Sequence, residues 1–152
     1  MGDPRMKKVR EAALMASADE LEATFYEAMR QGDLVRLMSV WADDEEVACV
    51  HPGGPRVVGG TAIMETFEAI FSNGPVLVSI EQVRRFQSVS CAVHHVLERV
   101  QGMSTDGMHT AFVLATNVYV RSEKGWRMVL HHASPGREQD LPEVADFAAT
   151  VH

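Results

Sequence analysis

The second half of the chain is dominated by four long β-rich segments, joined by connections of only a few residues. They run from Val76 to Phe86, Val89 to Val100, Thr110 to Arg121 and Trp126 to Ser134. Parallel neighbours need crossover connections of about a dozen residues or more, so we expect these strands to pair as antiparallel neighbours. Side chains along each strand then alternate between two faces of one sheet.

Three helical patterns precede the last four strands. The first opens with a capping box over Ser17 to Glu20 and ends at Gly32, and Asp33 is the expected N-cap of a short second helix. A third begins at Thr61 and stops at Asn73-Gly74-Pro75. Helices followed by a run of antiparallel strands indicate an α+β domain.

A chain of 152 residues is long enough to bury a core without a disulfide or a metal. We expect a mobile N-terminal arm over residues 1–16, one domain over residues 17–135, and a partly ordered tail over residues 136–152.

Net charge, the lack of a long apolar run and cysteine content restrict the classes of partner and the cellular compartment that we expect for this protein. A net charge of −7 argues against nucleic acid, which requires a basic face. No apolar run approaches the ~18 residues of a membrane span, so no membrane partner is expected. Cys49 and Cys91 lack metal-binding spacing and resemble buried thiols of a reducing compartment, so we expect a cytoplasmic protein without a disulfide.

The stretch from Trp41 to Gly54 passes through an acidic turn into a short strand and ends at His51, before Pro52 and two glycines. An imidazole at the end of a strand exchanges protons readily near neutral pH, which makes His51 a candidate general base. The alternative is a turn histidine that bonds only the local backbone. The stretch predicts one wall of a small-molecule pocket.

Several short sequence motifs, and their order along the chain, resemble the nuclear transport factor 2-like superfamily, in its SnoaL-like and ketosteroid-isomerase-like branches. They are Phe25 to Leu34, Trp41 to Asp44, His51 to Gly54, Gly60 to Ile63, and Gly125 to Val129. The resemblance implies a cone-shaped, curved antiparallel sheet wrapped around a long N-terminal helix, with three main helices, as in cystatin-like folds. It also implies a small, largely apolar ligand, no cofactor, and a homodimer formed through the outer sheet face.

The isomerases of this superfamily use an acidic base, a tyrosine and a protonated aspartate. Carried over by motif, the base falls near His51, the tyrosine on Phe25 with Tyr26 beside it, and the aspartate on Thr116 or Asn117. None of these residue types matches, so steroid isomerisation itself is not expected. Isomerisation, dehydration or cyclisation by proton transfer remain the implied reactions.

The register of the family implies which side chains enter the cone. The expected inward residues are Met128, Leu130, His132 and Ser134 on the last strand, Thr116, Val118 and Val120 on the strand before it, and His94, Val96 and Glu98 on the one before that. His131 is expected to point outward. A slip of one residue would reverse the assignment of a whole strand.

The predicted proton-transfer residues are His51, Glu98 and His132. Glu98 inside the cone would have its pKa raised by desolvation, whereas the alternative is a solvent-facing charge beside Arg99. His132, with Ser134, would donate to a ligand oxygen or else be a satisfied core histidine. The residues predicted to line the pocket are Phe25, Tyr26, Met29, Trp41, Phe67, Phe71, His94, Thr116, Met128 and Ser134.

Two other functions stay open. A zinc enzyme would require His51, His94 and His132 to converge, and we predict no metal site. A non-catalytic association module with a vestigial pocket would fill the cone with Phe25, Met29 and Met128, whereas an enzyme would place polar groups around a cavity.

Overall fold

The computed structural model describes residues 4, 5 and 17–146. The helices are α1 (Ala18–Gln31), α2 (Leu34–Met38) and α3 (Gly60–Phe71), with strands β1 (Ala48–Val50) and β2 (Arg56–Val58) between the last two. Strands β3 (Leu77–Gln87), β4 (Cys91–Ser104), β5 (Gly107–Ser122) and β6 (Gly125–Gly136) follow, and a 3-10 turn spans Glu138–Asp140. Most of the predicted arm, and residues 147–152 of the predicted tail, lie outside the described residues.

The helix ends follow the signals in the sequence. The Ser17 hydroxyl accepts a hydrogen bond from the Glu20 amide at 3.2 Å, and Gly32 ends α1 in the left-handed conformation with φ of 65°. The Asp33 carboxylate accepts from the Arg36 amide at 3.1 Å and so caps α2. These caps fix where α1 begins and ends, and therefore which of its residues face the sheet.

The sheet has six strands in the order β2-β1-β6-β5-β4-β3. The neighbours from β3 to β6 are antiparallel, as predicted. β1 instead runs parallel to β6, so the sheet is mixed rather than purely antiparallel. The predicted α+β fold, with three helices and a curved sheet around α1, is confirmed.

A β-bulge between β5 and β6 corrects the predicted register of the last strand. Val118 pairs with Leu130 but Tyr119 pairs with Met128, so Val129 has no partner in β5. An extra residue reverses the alternation beyond it. Met128 therefore faces inward as predicted, but His131 is buried beside it at 2% exposure.

His132 and Ser134, which were expected inside, are exposed. Leu130 is also on the outer side, because it lies directly opposite Val118, and directly opposite residues share a face.

The register of β5 was also predicted one residue out of step. Ala115, Asn117 and Tyr119 are buried at 3% or less, whereas Thr116 and Val118 are only half-buried and Val120 is 38% exposed. The prediction for β4 was correct, since its three inward residues are all buried. Both faces of β5 carry apolar residues, so alternation in the sequence did not distinguish them.

The core lies between α1, α3 and the concave face of the sheet. Aromatic and sulfur-containing side chains fill most of it, each at 6% exposure or less: Phe25, Tyr26, Met29, Trp41, Phe67 and Met128. Phe71 is only partly buried against this cluster. No helix in the described part of the chain has the length and apolar character needed to cross a membrane.

Candidate active site

A row of polar side chains crosses the concave face of the sheet. His94 of β4, Asn117 of β5 and His131 of β6 lie directly opposite one another and are 2% exposed or less. Glu22 and Tyr26, one helical turn apart on α1, reach this row from the other side. The row and the helix together form a network of polar side chains inside an otherwise apolar core.

The Glu22 carboxylate ties α1 to the sheet. Its Oε2 atom accepts hydrogen bonds from the Tyr119 hydroxyl at 2.8 Å and from Asn117 Nδ2 at 3.2 Å, and His94 Nδ1 lies 2.9 Å away. Burial raises the pKa of Tyr119 well above its ordinary value, and the charge of Glu22 adds to this. Tyr119 therefore stays a protonated donor.

Glu98 has a different environment, although it belongs to the same network. It is 5% exposed, and its Oε2 accepts a hydrogen bond from the Tyr26 hydroxyl at 2.7 Å. Burial raises the pKa of Glu98 to about 7, the Tyr26 bond opposes the shift, and the charge of Glu22 adds to it. Glu98 can therefore give or take a proton near neutral pH.

Tyr26 connects Glu98 to the central asparagine. Its hydroxyl donates to Glu98 and accepts from Asn117 Nδ2 at 3.0 Å. Burial raises the pKa of Tyr26 well above its ordinary value, and the charge of Glu98 raises it further. Tyr26 is therefore a hydrogen-bond donor at any pH at which the protein is expected to work.

His131 lies on the other side of the same asparagine. Its Nδ1 is 2.6 Å from Asn117 Oδ1, and its Nε2 is 3.9 Å from Glu98 Oε2. The pKa of His131 is lowered to about 3, chiefly by complete burial and to a smaller extent by the neighbouring imidazoles of His51 and His132. His131 is therefore a neutral imidazole beside the titrating carboxyl of Glu98.

His51 sits at the rim of this interior, directly after β1. Its Nε2 is 3.2 Å from the Thr66 hydroxyl, which already donates to the Ile63 carbonyl at 2.7 Å. The Thr66 oxygen must then accept from Nε2–H, which leaves the lone pair of His51 on Nδ1. Burial lowers the pKa of His51, so it is neutral and half-buried at the edge of the site.

The structure separates other predicted site residues from Glu98. Thr116 bonds His95 on the outer face, with 3.0 Å between its hydroxyl and His95 Nδ1. Ser134 donates to the Leu114 carbonyl at 3.4 Å. His132 and Ser134 were expected to donate to a ligand oxygen, and Thr116 was expected to line the pocket. These expectations are wrong because all three residues lie on the opposite face from Glu98.

The zinc alternative fails for the same geometric reason. His94 faces the interior and His132 faces outward, so the two rings cannot share one ion with His51. Within residues 17–146, no three side chains among histidine, cysteine, aspartate and glutamate are grouped to hold a metal.

Three members of the network were not predicted as site residues: Glu22, Tyr119 and His131. Asn117 was named only as one of two positions that correspond to the aspartate of the isomerases, and it was not placed among the pocket residues. Glu22 did leave a signal, because it lies between Leu21 and Phe25 on the apolar stripe of α1, where an acidic residue is costly without partners. His131 left none, since its orientation depends on the bulge.

The interior combines the two features that were expected to separate an enzyme from an association module. Phe25, Met29 and Met128 fill much of it, yet the polar network crosses it. A cavity of about 1040 Å³ lies outside this network, between the loop that contains Trp41 and Asp44 and the β5–β6 hairpin around Lys124.

A curved sheet closed over one helix, with acid–base side chains on its concave face, is the architecture of nuclear transport factor 2-like proteins. The SnoaL-like domain matches residues 19–138 of the chain. The protein therefore belongs to the SnoaL-like family.

Solved structures agree with this assignment. A proposed calcium/calmodulin-dependent protein kinase type II association domain from Thiobacillus denitrificans is 34% identical, with 80% of this chain and 96% of that chain covered and a TM-score of 0.71. A proposed dehydratase of the NTF2-like family from Streptomyces avermitilis is 28% identical, with 78% and 93% covered and a TM-score of 0.70. Comparison with curated proteins finds no match.

Proposed function

We propose that this SnoaL-like protein binds a small, largely apolar molecule in its interior and moves a proton on it without a cofactor, with Glu98 as the proton-transfer group. The observation that carries the proposal is the environment of Glu98. This carboxyl is 5% exposed and has one short donor, Tyr26, and its pKa is raised to about 7.

The cost of the network supports a functional interior. Seven polar side chains are buried where apolar residues of similar volume would fill the space: Glu22, Tyr26, His94, Glu98, Asn117, Tyr119 and His131. Buried ionisable groups stabilise a fold weakly or not at all compared with apolar packing. Perturbed pKa values concentrate at sites that perform chemistry.

The chemistry follows from the protonation states. Ionised Glu98 removes a proton from an acidic carbon or hydroxyl of the ligand. Once Glu98 is protonated, the Tyr26 hydroxyl, which keeps its own proton, turns from Glu98 and donates to the oxyanion that develops. The carboxylic acid then returns the proton to another atom of the ligand or to a leaving hydroxyl. Isomerisation, dehydration and cyclisation share this sequence, and the 28% identical neighbour is itself a proposed dehydratase.

The test begins with a metabolite library screened by thermal shift, because a ligand that binds only the folded protein raises the melting temperature. Proton transfer on each ligand found is then measured as deuterium incorporation in D₂O. Glu98→Gln should lower the rate by about 100-fold or more. Glu81→Gln is the matched control, since Glu81 is an exposed glutamate on β3.

Full exchange activity in Glu98→Gln would contradict the proposal, as would a ligand whose binding is unaffected by changes in the interior. Equal losses in both variants would point to a general loss of folding, which the melting temperatures would reveal.

A second function, association through the outer sheet face, has its own support. Leu114 is 47% exposed and Val120 38% exposed, both on the outer face of β5. The 34% identical neighbour is a proposed association domain. We propose a homodimer formed through this face. In a non-catalytic association module of this kind, the pocket would be vestigial.

Sedimentation velocity tests the dimer. Leu114→Glu should reduce the sedimentation coefficient to that of a monomer, because it places a charge at the centre of an apolar contact. Val35→Glu, on α2 and 48% exposed, is the matched control and should leave it unchanged. A wild-type protein that sediments as a monomer would contradict the dimer.

A further inference from the structure

We infer that Asn117 is a positioning residue, which fixes His131 as the Nδ1–H tautomer so that the Nε2 lone pair faces Glu98 and keeps the exchangeable proton on that carboxyl. The inference rests on the proposed function for its role in proton transfer. The tautomer itself follows from hydrogen bonds within the protein.

The first step is the orientation of the Asn117 amide. Glu22 Oε2 also lies against a tyrosine hydroxyl that donates to it, and a carboxylate accepts hydrogen bonds, so the Asn117 atom 3.2 Å from it must be the NH₂ group. The Tyr26 hydroxyl donates its one hydrogen to Glu98, so its oxygen must accept a hydrogen bond from Asn117 Nδ2, at 3.0 Å. Two independent contacts thus assign the same orientation.

The second step is the tautomer of His131. With both donors of its NH₂ group engaged, Asn117 presents only the acceptor Oδ1 to His131, at 2.6 Å from Nδ1. A contact of this length requires a proton between the two atoms, so Nδ1 carries it. The ring is neutral because burial holds the pKa of His131 at about 3.

The third step concerns Glu98. The unprotonated Nε2 of His131 lies 3.9 Å from Glu98 Oε2. This separation is too long for a hydrogen bond, so the effect is electrostatic: the lone pair repels a carboxylate, whereas a carboxylic acid can turn its O–H dipole toward it. The tautomer therefore favours the protonated carboxyl, and no charge is created on the ring when the proton is held there.

The opposite tautomer would have the opposite effect. An Nε2–H imidazole would point its positive dipole at ionised Glu98 across 3.9 Å, too far for a hydrogen bond but close enough to favour loss of the proton electrostatically. The side chain of Asn117, whose hydrogen bonds go to Glu22, Tyr26 and His131 and not to Glu98, would thus decide which form of the acid the site prefers. Such control through a second residue is typical of histidines whose tautomer is fixed by the bond at the other nitrogen.

The test is NMR of the wild-type protein labelled with ¹⁵N-histidine, because two-bond ¹⁵N–¹H couplings distinguish the tautomers. His131 should show Nδ1–H. In Asn117→Ala, His131 should shift toward Nε2–H, and the ¹³C-detected titration midpoint of Glu98 should fall by about one pH unit. Thr116→Ala, one residue away on the outer face, should change neither quantity.

An Nε2–H tautomer in the wild-type protein would overturn the inference, and this measurement stands even if Asn117→Ala fails to fold. A Glu98 midpoint that stays unchanged in Asn117→Ala would also overturn it. A midpoint that rises would do so too, since it would mean that Asn117 acts through the Tyr26 bond. If His131 is the Nε2–H tautomer and proton transfer still depends on Glu98, the inference is contradicted but the proposed function stands. If His131 is the Nδ1–H tautomer and no ligand is turned over, the proposed function is contradicted but the tautomer assignment stands.

Discussion

Two rows of similar residues cross the sheet one position apart in the chain. The inner row is His94, Asn117 and His131, and the outer row is His95, Thr116 and His132. The inner residues are 2% exposed or less and bonded to one another or to α1, whereas His95 and His132 are exposed. Composition is nearly the same in the two rows, so burial alone distinguishes the proposed chemical site from the outer, more exposed row.

The difference shows in the histidines. Burial lowers the pKa of His131 to about 3, and its ring is locked against Asn117. His95 instead bonds a single hydroxyl on the surface, that of Thr116. A polar side chain acquires an unusual protonation state when water is excluded and only hydrogen bonds within the protein remain.

The largest contrast is expected at the centre of each row. Asn117→Leu fills a similar volume but removes the hydrogen bonds that Asn117 makes to Glu22, Tyr26 and His131. It should lower the free energy of unfolding by about 4 kcal/mol, because buried polar atoms lose a partner. Thr116→Val breaks one exposed hydrogen bond and should cost less than about 1 kcal/mol. Urea denaturation at pH 7 measures both, and equal losses would show that the rows do not differ in the way described.

The second contrast lies in how stability depends on pH. Folded Glu98 keeps its proton up to about pH 7, against an ordinary value of 4.5, so its stabilising contribution is complete below pH 4.5 and is lost as the pH rises through 7. His131 has the reverse dependence: its contribution is complete above pH 6.5 and is lost as the pH falls toward 3. Between pH 4.5 and 6.5 the two slopes cancel.

Glu98→Gln should expose this cancellation. Relative to the wild type, its free energy of unfolding should fall by about 3 kcal/mol between pH 8 and pH 4, because the variant lacks the proton that Glu98 gains. Urea denaturation at the two pH values measures the difference. A difference that does not change with pH would mean that Glu98 titrates alike in the folded and unfolded chains.

The smallest contrast is at the β4 end of the rows. His94→Gln should cost about 2 kcal/mol, because it breaks the contact between Nδ1 and Glu22 in a site with no exposure to water. His95→Gln should change stability by about 0.5 kcal/mol or less. Thermal unfolding followed by circular dichroism is sufficient to separate the two, and a larger loss at His95 would reverse the assignment of the faces.

Much of the fold could be predicted from the sequence because its signals are local. The capping box at Ser17, the glycine stop at Gly32 and the short turns between β3 and β6 each depend on a few neighbouring residues, and the structure confirms them. The parallel pairing of β1 with β6 joins segments far apart in the chain, and no local pattern specifies it.

The candidate site was predicted only in part, for a similar reason. Glu98 and His94 were placed inside correctly because β4 is regular there. The inward position of His131 depends on the unpaired Val129, and that of Asn117 on a strand that is apolar on both faces. Periodicity determines which residues share a face, but it does not show where a bulge interrupts it.

The account depends most directly on the protonation of Glu98. The side-chain carboxyl of this residue, labelled with ¹³C and followed by NMR from pH 3 to 9, gives its titration midpoint in the folded protein. The account predicts a midpoint at about 7. A midpoint near the ordinary value of 4.5 would show a carboxylate that is always ionised at neutral pH, and would contradict a proton-transfer site in this interior.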